Sequence, residues 1–286
     1  MQISIKERLE SIITNLDQLP SIPDVVGKVI NMVNDPNVDF KVIAQEISRD
    51  QAITTNLLKL CNSAYFSKGK EITSLDRAIV TLGIKEVKDA IMVVATKAVL
   101  NRVILGYDLT KGMLWEHDLA VAVMAKNIAL MKKDRVNADI AFTGGIIHDV
   151  GKTVLALFVQ NAFKDILSMV ESRGISFQQA ERETMGYDHQ EVGERILNKW
   201  KFPEVLKAIV RYHHEPEKAP KEYQKLVSLV HVANSICLMA GIGIGSDGLY
   251  HELSESAVRM LGLTDEEMNT LYSGVTEVLD QVKGIS

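Results

Sequence analysis

The chain has 286 residues, 47% hydrophobic and 24% charged, enough to bury a substantial core in one large or two modest domains. Its net charge of -5 argues against broad nonspecific binding to nucleic acid or anionic lipid. Two cysteines, Cys61 and Cys237, stand far apart in apolar segments, which excludes a disulfide scaffold and predicts a reducing, cytoplasmic setting.

Apolar residues recur at spacings of three to four along nearly the whole chain, and no strict alternation is long enough for a sheet, so the fold class is all-α. The opening stretch MQISIKERLESIITNL is amphipathic and lacks the apolar core and cleavage site of an export signal. A first helix is expected to end near Leu16. The prolines of LPSIP then punctuate the chain, with Pro23 in the first turn of a second helix that stops before Asn34-Asp35-Pro36. Helices over 40–47 and 52–60, joined at Ser48-Arg49-Asp50, have the layout of a helix-turn-helix. The second offers only Lys59 to a phosphate backbone, so no DNA reading is expected. Further helices over 74–80 and 86–100 hinge at Gly83, and LGYDLTKG at 105–112 is a turn-rich break. That break divides the chain into an N-terminal helical part, 1–108, and a C-terminal half, 109–286.

Segment 226–245 is uncharged and long enough to span a bilayer, but His231 and Asn234 share one helical face and would be costly in lipid. It is predicted to be a core helix, and no membrane contact is expected. GIGIGSDG at 241–248 lacks the preceding strand and lysine of a phosphate loop and reads as a flexible connector. Thr264 and Glu267 form a capping box for a last helical segment.

The chemistry is concentrated in the C-terminal half. Six of the seven histidines lie between His117 and His231, and the N-terminal part has none. The stretch TGGIIHDVGK at 143–152 sets His148 beside Asp149, a nitrogen and a carboxylate donor on what reads as a helix, with Lys152 returning to the histidine's face four residues later. Gly144 and Gly145 would let another helix approach. His117, His189 heading HQEVGERIL, and His213-His214 before Pro216 fall on separate helices, the pattern by which bundle cores assemble metal sites. Each histidine alone would be a hydrogen-bonded core group or a helix cap. Together they predict a divalent metal site, with Asp149 able to bridge two ions and Fe, Mn, Ni and Zn not distinguished.

The order His117, HDVGK at 148–152, His189, HHE at 213–215 and VHVANSI resembles the HD superfamily of metal-dependent phosphohydrolases, especially its HD-GYP branch. LPSIPDVVGKVI, IAQEISRDQAITTNLLKLCNSAYF and ITSLDRAIVTLGIKEVKD resemble the HDOD domain, a helical HD-related module of bacterial signalling proteins. The resemblance implies an HD-type bundle with an N-terminal HDOD subdomain. It implies metal ligands at His117, His148, Asp149, His189, His213 and His214, with Asn234 at the position where an aspartate is usual. It also implies Asp149 and Lys152 as the catalytic candidates, Lys152 steadying phosphoryl oxygens. The GYP tract is missing, which speaks against cyclic di-GMP hydrolysis. The function expected is a signalling or regulatory role with little or no hydrolysis, toward a signalling protein or a nucleotide-like phosphoester. The alternatives are an active phosphodiesterase and a metal-free interaction module.

Overall fold

The computed structural model describes residues 5–14, 28, 29, 32, 39–67 and 69–285. The expected second helix at Pro23 and its stop at residues 34–36 lie outside them. Among the described residues there is no strand, and the helices start where polar caps allow. Helix α1 is Ile5–Thr14. Asp39 caps α2 (Phe40–Ile47), Asp50 caps α3 (Gln51–Cys61), and α4 is Ala64–Ser67. Each capping carboxylate accepts a backbone N–H left free in the first turn. Asn62 ties the NSAYF stretch down by donating to the Ile72 carbonyl at 2.7 Å and accepting from the Ile72 amide at 2.8 Å. Ser74 caps α5 (Leu75–Leu82), and Gly83, at φ 88°, turns the chain into α6 (Ile84–Leu100). No side chain is comfortable at that φ.

The turn-rich break holds a short 3-10 turn, Leu105–Tyr107. Beyond it α7 (Met113–Met131) is buried on nearly every side, and a helix apolar all round belongs at the centre of the bundle. Helix α8 (Arg135–Gly145), α13 (Gln224–Met239), α6 and α16 (Val275–Ile285) pack against it. A methyl on Gly145 would lie 2.6 Å from the Ala122 Cα, so α7 and α8 pack this closely only because that position is bare. Lys126 of α7 reaches Asp89 of α6 at 2.7 Å and Glu86 at 3.2 Å, an ion pair that crosses the break. The apolar core is continuous from Leu9 to Val282.

The remaining helices are α9 (Lys152–Arg173), α10 (Phe177–Met185), α11 (His189–Lys199), α12 (Glu204–Tyr212), α14 (Glu255–Leu261) and α15 (Asp265–Ser273). Capping boxes open α11 at Asp188/Glu191 and α15 at Thr264/Glu267. Of segment 226–245, residues 226–238 are buried in α13 as expected, while the helix ends at Met239 and 240–245 lie beyond it; no described helix is long and apolar enough to cross a membrane.

Candidate metal centre

Four helices and one turn bring the predicted residues together. His117 lies in the second turn of α7, His189 is the first residue of α11, His213 is the C-cap of α12 with His214 next, and Asn234 lies on α13. His148 and Asp149 are not helical, which corrects the sequence reading. They occupy the turn 146–151 between α8 and α9, and the His148 ring itself closes α8 by giving Nδ1–H to the Gly145 carbonyl at 2.7 Å. Lys152 therefore does not return to the face of His148. It opens α9, and its ammonium bonds Asp149 and, at 2.5 Å, Asp247 Oδ2.

The histidines are held so that one ring nitrogen faces inward. His117, His148 and His213 each give Nδ1–H to a backbone carbonyl, of Ile242, Gly145 and Val210, at 2.8, 2.7 and 2.9 Å. His189 Nδ1 lies 2.8 Å from Glu181 Oε2, whose other oxygen accepts from the buried Tyr107 hydroxyl. A ring held this way has its Nε2 lone pair free for a metal, and the partner raises its basicity. Burial pulls His117, His148, His213 and His214 below the usual histidine value, which keeps them neutral as ligands must be. Burial also opposes the charge of His189, but Glu181 outweighs it and raises that residue.

His214 is set by a longer chain of bonds. Ser235 Oγ donates to the His231 carbonyl at 2.9 Å, so it accepts from His251 Nε2–H at 2.7 Å. His251 Nδ1 is then an acceptor and takes the Nδ1 proton of His214 at 3.2 Å. His214 is left with a lone pair on Nε2, 3.0 Å from His189 Nε2. Two lone pairs that close need a positive charge between them, a proton or a metal ion.

Asp149 is the hinge of the site. Its Oδ1 lies 3.6 Å from His189 Nε2 and 3.5 Å from His213 Nε2, and its Oδ2 lies 3.5 Å from His148 Nε2. Ligands about 2.1 Å from one ion at tetrahedral angles stand roughly 3.4 Å apart, so these are the spacings of neighbours around a cation. Two donor sets share the residue: Asp149, His189, His213 and His214, and His117, Asp118, His148 and Asp149. Asp149 Oδ1, His148 Nε2, His213 Nε2 and both Asp118 oxygens are buried without a hydrogen-bond partner. Orphaned buried donors that converge fit a divalent ion, and the nitrogen and oxygen donor set suits Zn, Mn, Fe or Ni. Burial opposes the charge of Asp149, yet Lys152 and His148 hold it well below the carboxylate range. Asn234 Oδ1 lies 3.0 Å from His117 Nε2, inside the same constellation.

A cavity of about 540 Å³ reaches His189, His214 and His251, walled by Phe177, Gln178, Glu215, Asp247 and Glu252 among others. The segment read as a flexible connector is packed into the site instead. A methyl on Gly243 would lie 2.6 Å from His117 Cβ, Ile242 holds His117, and Asp247 holds Lys152. Sequence reasoning missed Asp118, Glu181, Tyr107, Ser235, Asp247 and the role of His251. Only Asp118 carried a signal, since the His-Asp pair of 148–149 also occurs at 117–118.

The chain is similar to a Treponema pallidum (strain Nichols) protein of uncharacterised function, 25% identical over 224 residues, which are 78% of this chain and 43% of that one. It thus spans less than half the length of that relative. Among solved structures, an HDOD domain protein of unknown function from Geobacter sulfurreducens superposes with a TM-score of 0.76 at 26% identity, covering 97% of each chain. A provisionally named phosphohydrolase from Shewanella amazonensis SB2B gives 0.73 at 22% identity, covering 96% of this chain and 98% of that one, a likeness of fold. The HDOD domain model matches residues 19–216, from the N-terminal helices through the double histidine, and the chain belongs to the HDOD domain family.

Proposed function

We propose that the protein is a regulatory HDOD module that holds divalent metal in its histidine half and hydrolyses phosphoesters weakly or not at all. The observation that carries this reading is the engagement of Lys152. Its ammonium lies against both Asp149 and Asp247, and these carboxylates, outweighing the opposing effect of burial, hold it above the ordinary lysine range. Its charge is already matched. The cavity beside the histidines has no lysine or arginine among its described lining residues, and three carboxylates, Glu215, Asp247 and Glu252, stand on its wall. Glu215 is paired with Lys218 and Asp247 with Lys152, so the described wall offers an entering phosphoryl group no cation that a carboxylate does not already hold. Asn234 adds no charge to the metal end.

A bound divalent ion would supply Lewis-acid polarisation of an oxygen. Asp149, His189, His213 and His214 would hold it, and α11, α12 and the turn 146–151 would be tied together through it. In this reading the division at 108/109 separates a metal half from a helical half that faces a signalling partner. The test is metal analysis of protein purified without chelator, with phosphodiesterase assays on cyclic di-GMP, cyclic mononucleotides and an aryl phosphodiester in manganese and ferrous iron. Bound metal with turnover near background is expected; robust turnover that vanishes in Asp149→Ala overturns the reading.

The second reading, an active phosphohydrolase, is favoured by Asp149 belonging to both donor sets. Under it, Asp247→Asn frees Lys152 for a phosphoryl oxygen and raises turnover.

A further inference from the structure

Asp118 lies one residue past His117 on α7, is fully buried, and has no hydrogen-bond partner for either carboxylate oxygen. An ionised carboxylate in that state lacks the compensation that buried charges require. The lysine on its own helix, Lys126, is already engaged by Asp89 and Glu86. Something else must satisfy it.

Its surroundings name the partner. One donor atom from each of His117, Asp118, His148 and Asp149 lies within 4.8 Å of every other, and Asp118 Oδ1 is 3.6 Å from His148 Nδ1, the nitrogen bonded to the Gly145 carbonyl. His148 Nε2 is itself without a partner. His117 has given its Nδ1 proton to Ile242, so its Nε2 and the Asn234 amide oxygen are two acceptors 3.0 Å apart, a contact that a cation or a reversed amide relieves. Charge supports the same assignment. Asp149 is the carboxylate common to both donor sets, and one carboxylate shared between two dications leaves the His117–His148 end short of negative charge.

We propose that Asp118 is a direct carboxylate ligand of a divalent ion held with His117, His148 and Asp149, supplying the charge that the neutral Asn234 cannot. The assignment rests on the metal-binding reading above. It makes a prediction of opposite signs: removing the carboxylate relieves the metal-free protein and weakens the metal-loaded one.

The experiment titrates the full-length native protein, Asp118→Asn and Asp118→Cys with Mn²⁺ and Co²⁺, and measures unfolding midpoints without metal. Native protein is expected to take two equivalents. Asp118→Asn keeps the first affinity, binds the second at least tenfold more weakly, and unfolds at an equal or higher midpoint when metal-free. Asp118→Cys loaded with Co²⁺ shows a thiolate-to-cobalt charge-transfer band that the native protein lacks, which a residue acting through His148 alone would not produce. Unchanged second-site affinity in Asp118→Asn, or two bound Co²⁺ in Asp118→Cys without the band, overturns the assignment while leaving metal binding intact. Failure of the native protein to bind either metal overturns both readings.

Discussion

Replacing Gly151 by alanine should open the metal site without touching a donor. A methyl built on Gly151 lies 1.8 Å from the His189 carbonyl oxygen and 2.7 Å from the Gly193 amide nitrogen, both backbone atoms at the start of α11. A carbon and an oxygen in ordinary contact stand about 3.3 Å apart, so the turn 146–151 and α11 must separate by roughly 1.5 Å. The turn carries Asp149 and α11 carries His189, whose facing atoms are 3.6 Å apart. Metal sites tolerate ligand displacements of about 0.2 Å, so the shift exceeds the tolerance several-fold. Overpacking of this kind costs about 1–3 kcal/mol. Unfolding of metal-free protein in urea should show that loss, and competition with a chelator should show at least a tenfold loss of Mn²⁺ affinity. Gly262→Ala is the control, because a methyl on Gly262 meets nothing within 4 Å; its φ of 61° is positive, unlike that of Gly151 at -62°. It should cost about 1 kcal/mol through backbone strain and leave metal affinity alone. Native-like Mn²⁺ affinity in Gly151→Ala would refute the argument that this close approach sets the site.

Burial pulls His231 down to about 4 from its ordinary 6.5. The unfolded chain takes up a proton below about 6.5 and the folded chain does not until about 4, so stability present above pH 6.5 falls as pH drops across that window, by about 3 kcal/mol at 1.36 kcal/mol per unit. Urea unfolding at pH 7, 5.5 and 4 should show that loss, with the buried His117, His148, His213 and His214 adding to it, and His231→Gln should make the fall shallower without abolishing it. His251→Leu breaks the hydrogen-bond chain that fixes His214 and should weaken metal binding by 10- to 100-fold, whereas His251→Gln, which can still accept from His214 and donate to Ser235, should retain it. Equal losses in both variants would mean that packing alone is at work. Duplex DNA should show no salt-dependent binding at physiological ionic strength, because α3 buries Ile53, Leu57 and Leu60 and carries Lys59 as its only cation. A steep salt slope in a fluorescence titration would contradict this.

Where structure is set within a few residues, the sequence was a sufficient guide. The caps at Asp50, Ser74 and Thr264 and the turn at Gly83 are local devices, and the helices begin and end beside them. The histidines could be grouped because they recur on successive helices. The turn at 146–151 was not legible, since its apolar spacing continues that of α8 and the bond from His148 Nδ1–H to the Gly145 carbonyl, which closes the helix, depends on the direction of the ring. The residues that orient the ligands were equally hidden. Tyr107 and Glu181 are 74 positions apart, and Asn234 and His117 are 117 apart, so no periodicity links them. The double His-Asp pair was legible and went unused.

Much of what steadies the ligands comes from beyond the stretch that defines the family. The match ends at residue 216, while Asn234, Ser235, Ile242, Asp247 and His251 all follow it and all touch the constellation or its immediate supports. A fragment cut at that limit would keep His117, His148, His189, His213 and His214 and lose the far wall against which they are aimed, along with α13, which covers one side of α7. The stretch that the family model matches is therefore smaller than the stretch that builds the site. The residues after 216 are thus part of what aims the ligands, and truncating them should cost metal affinity while leaving His117, His148, His189, His213 and His214 in the chain.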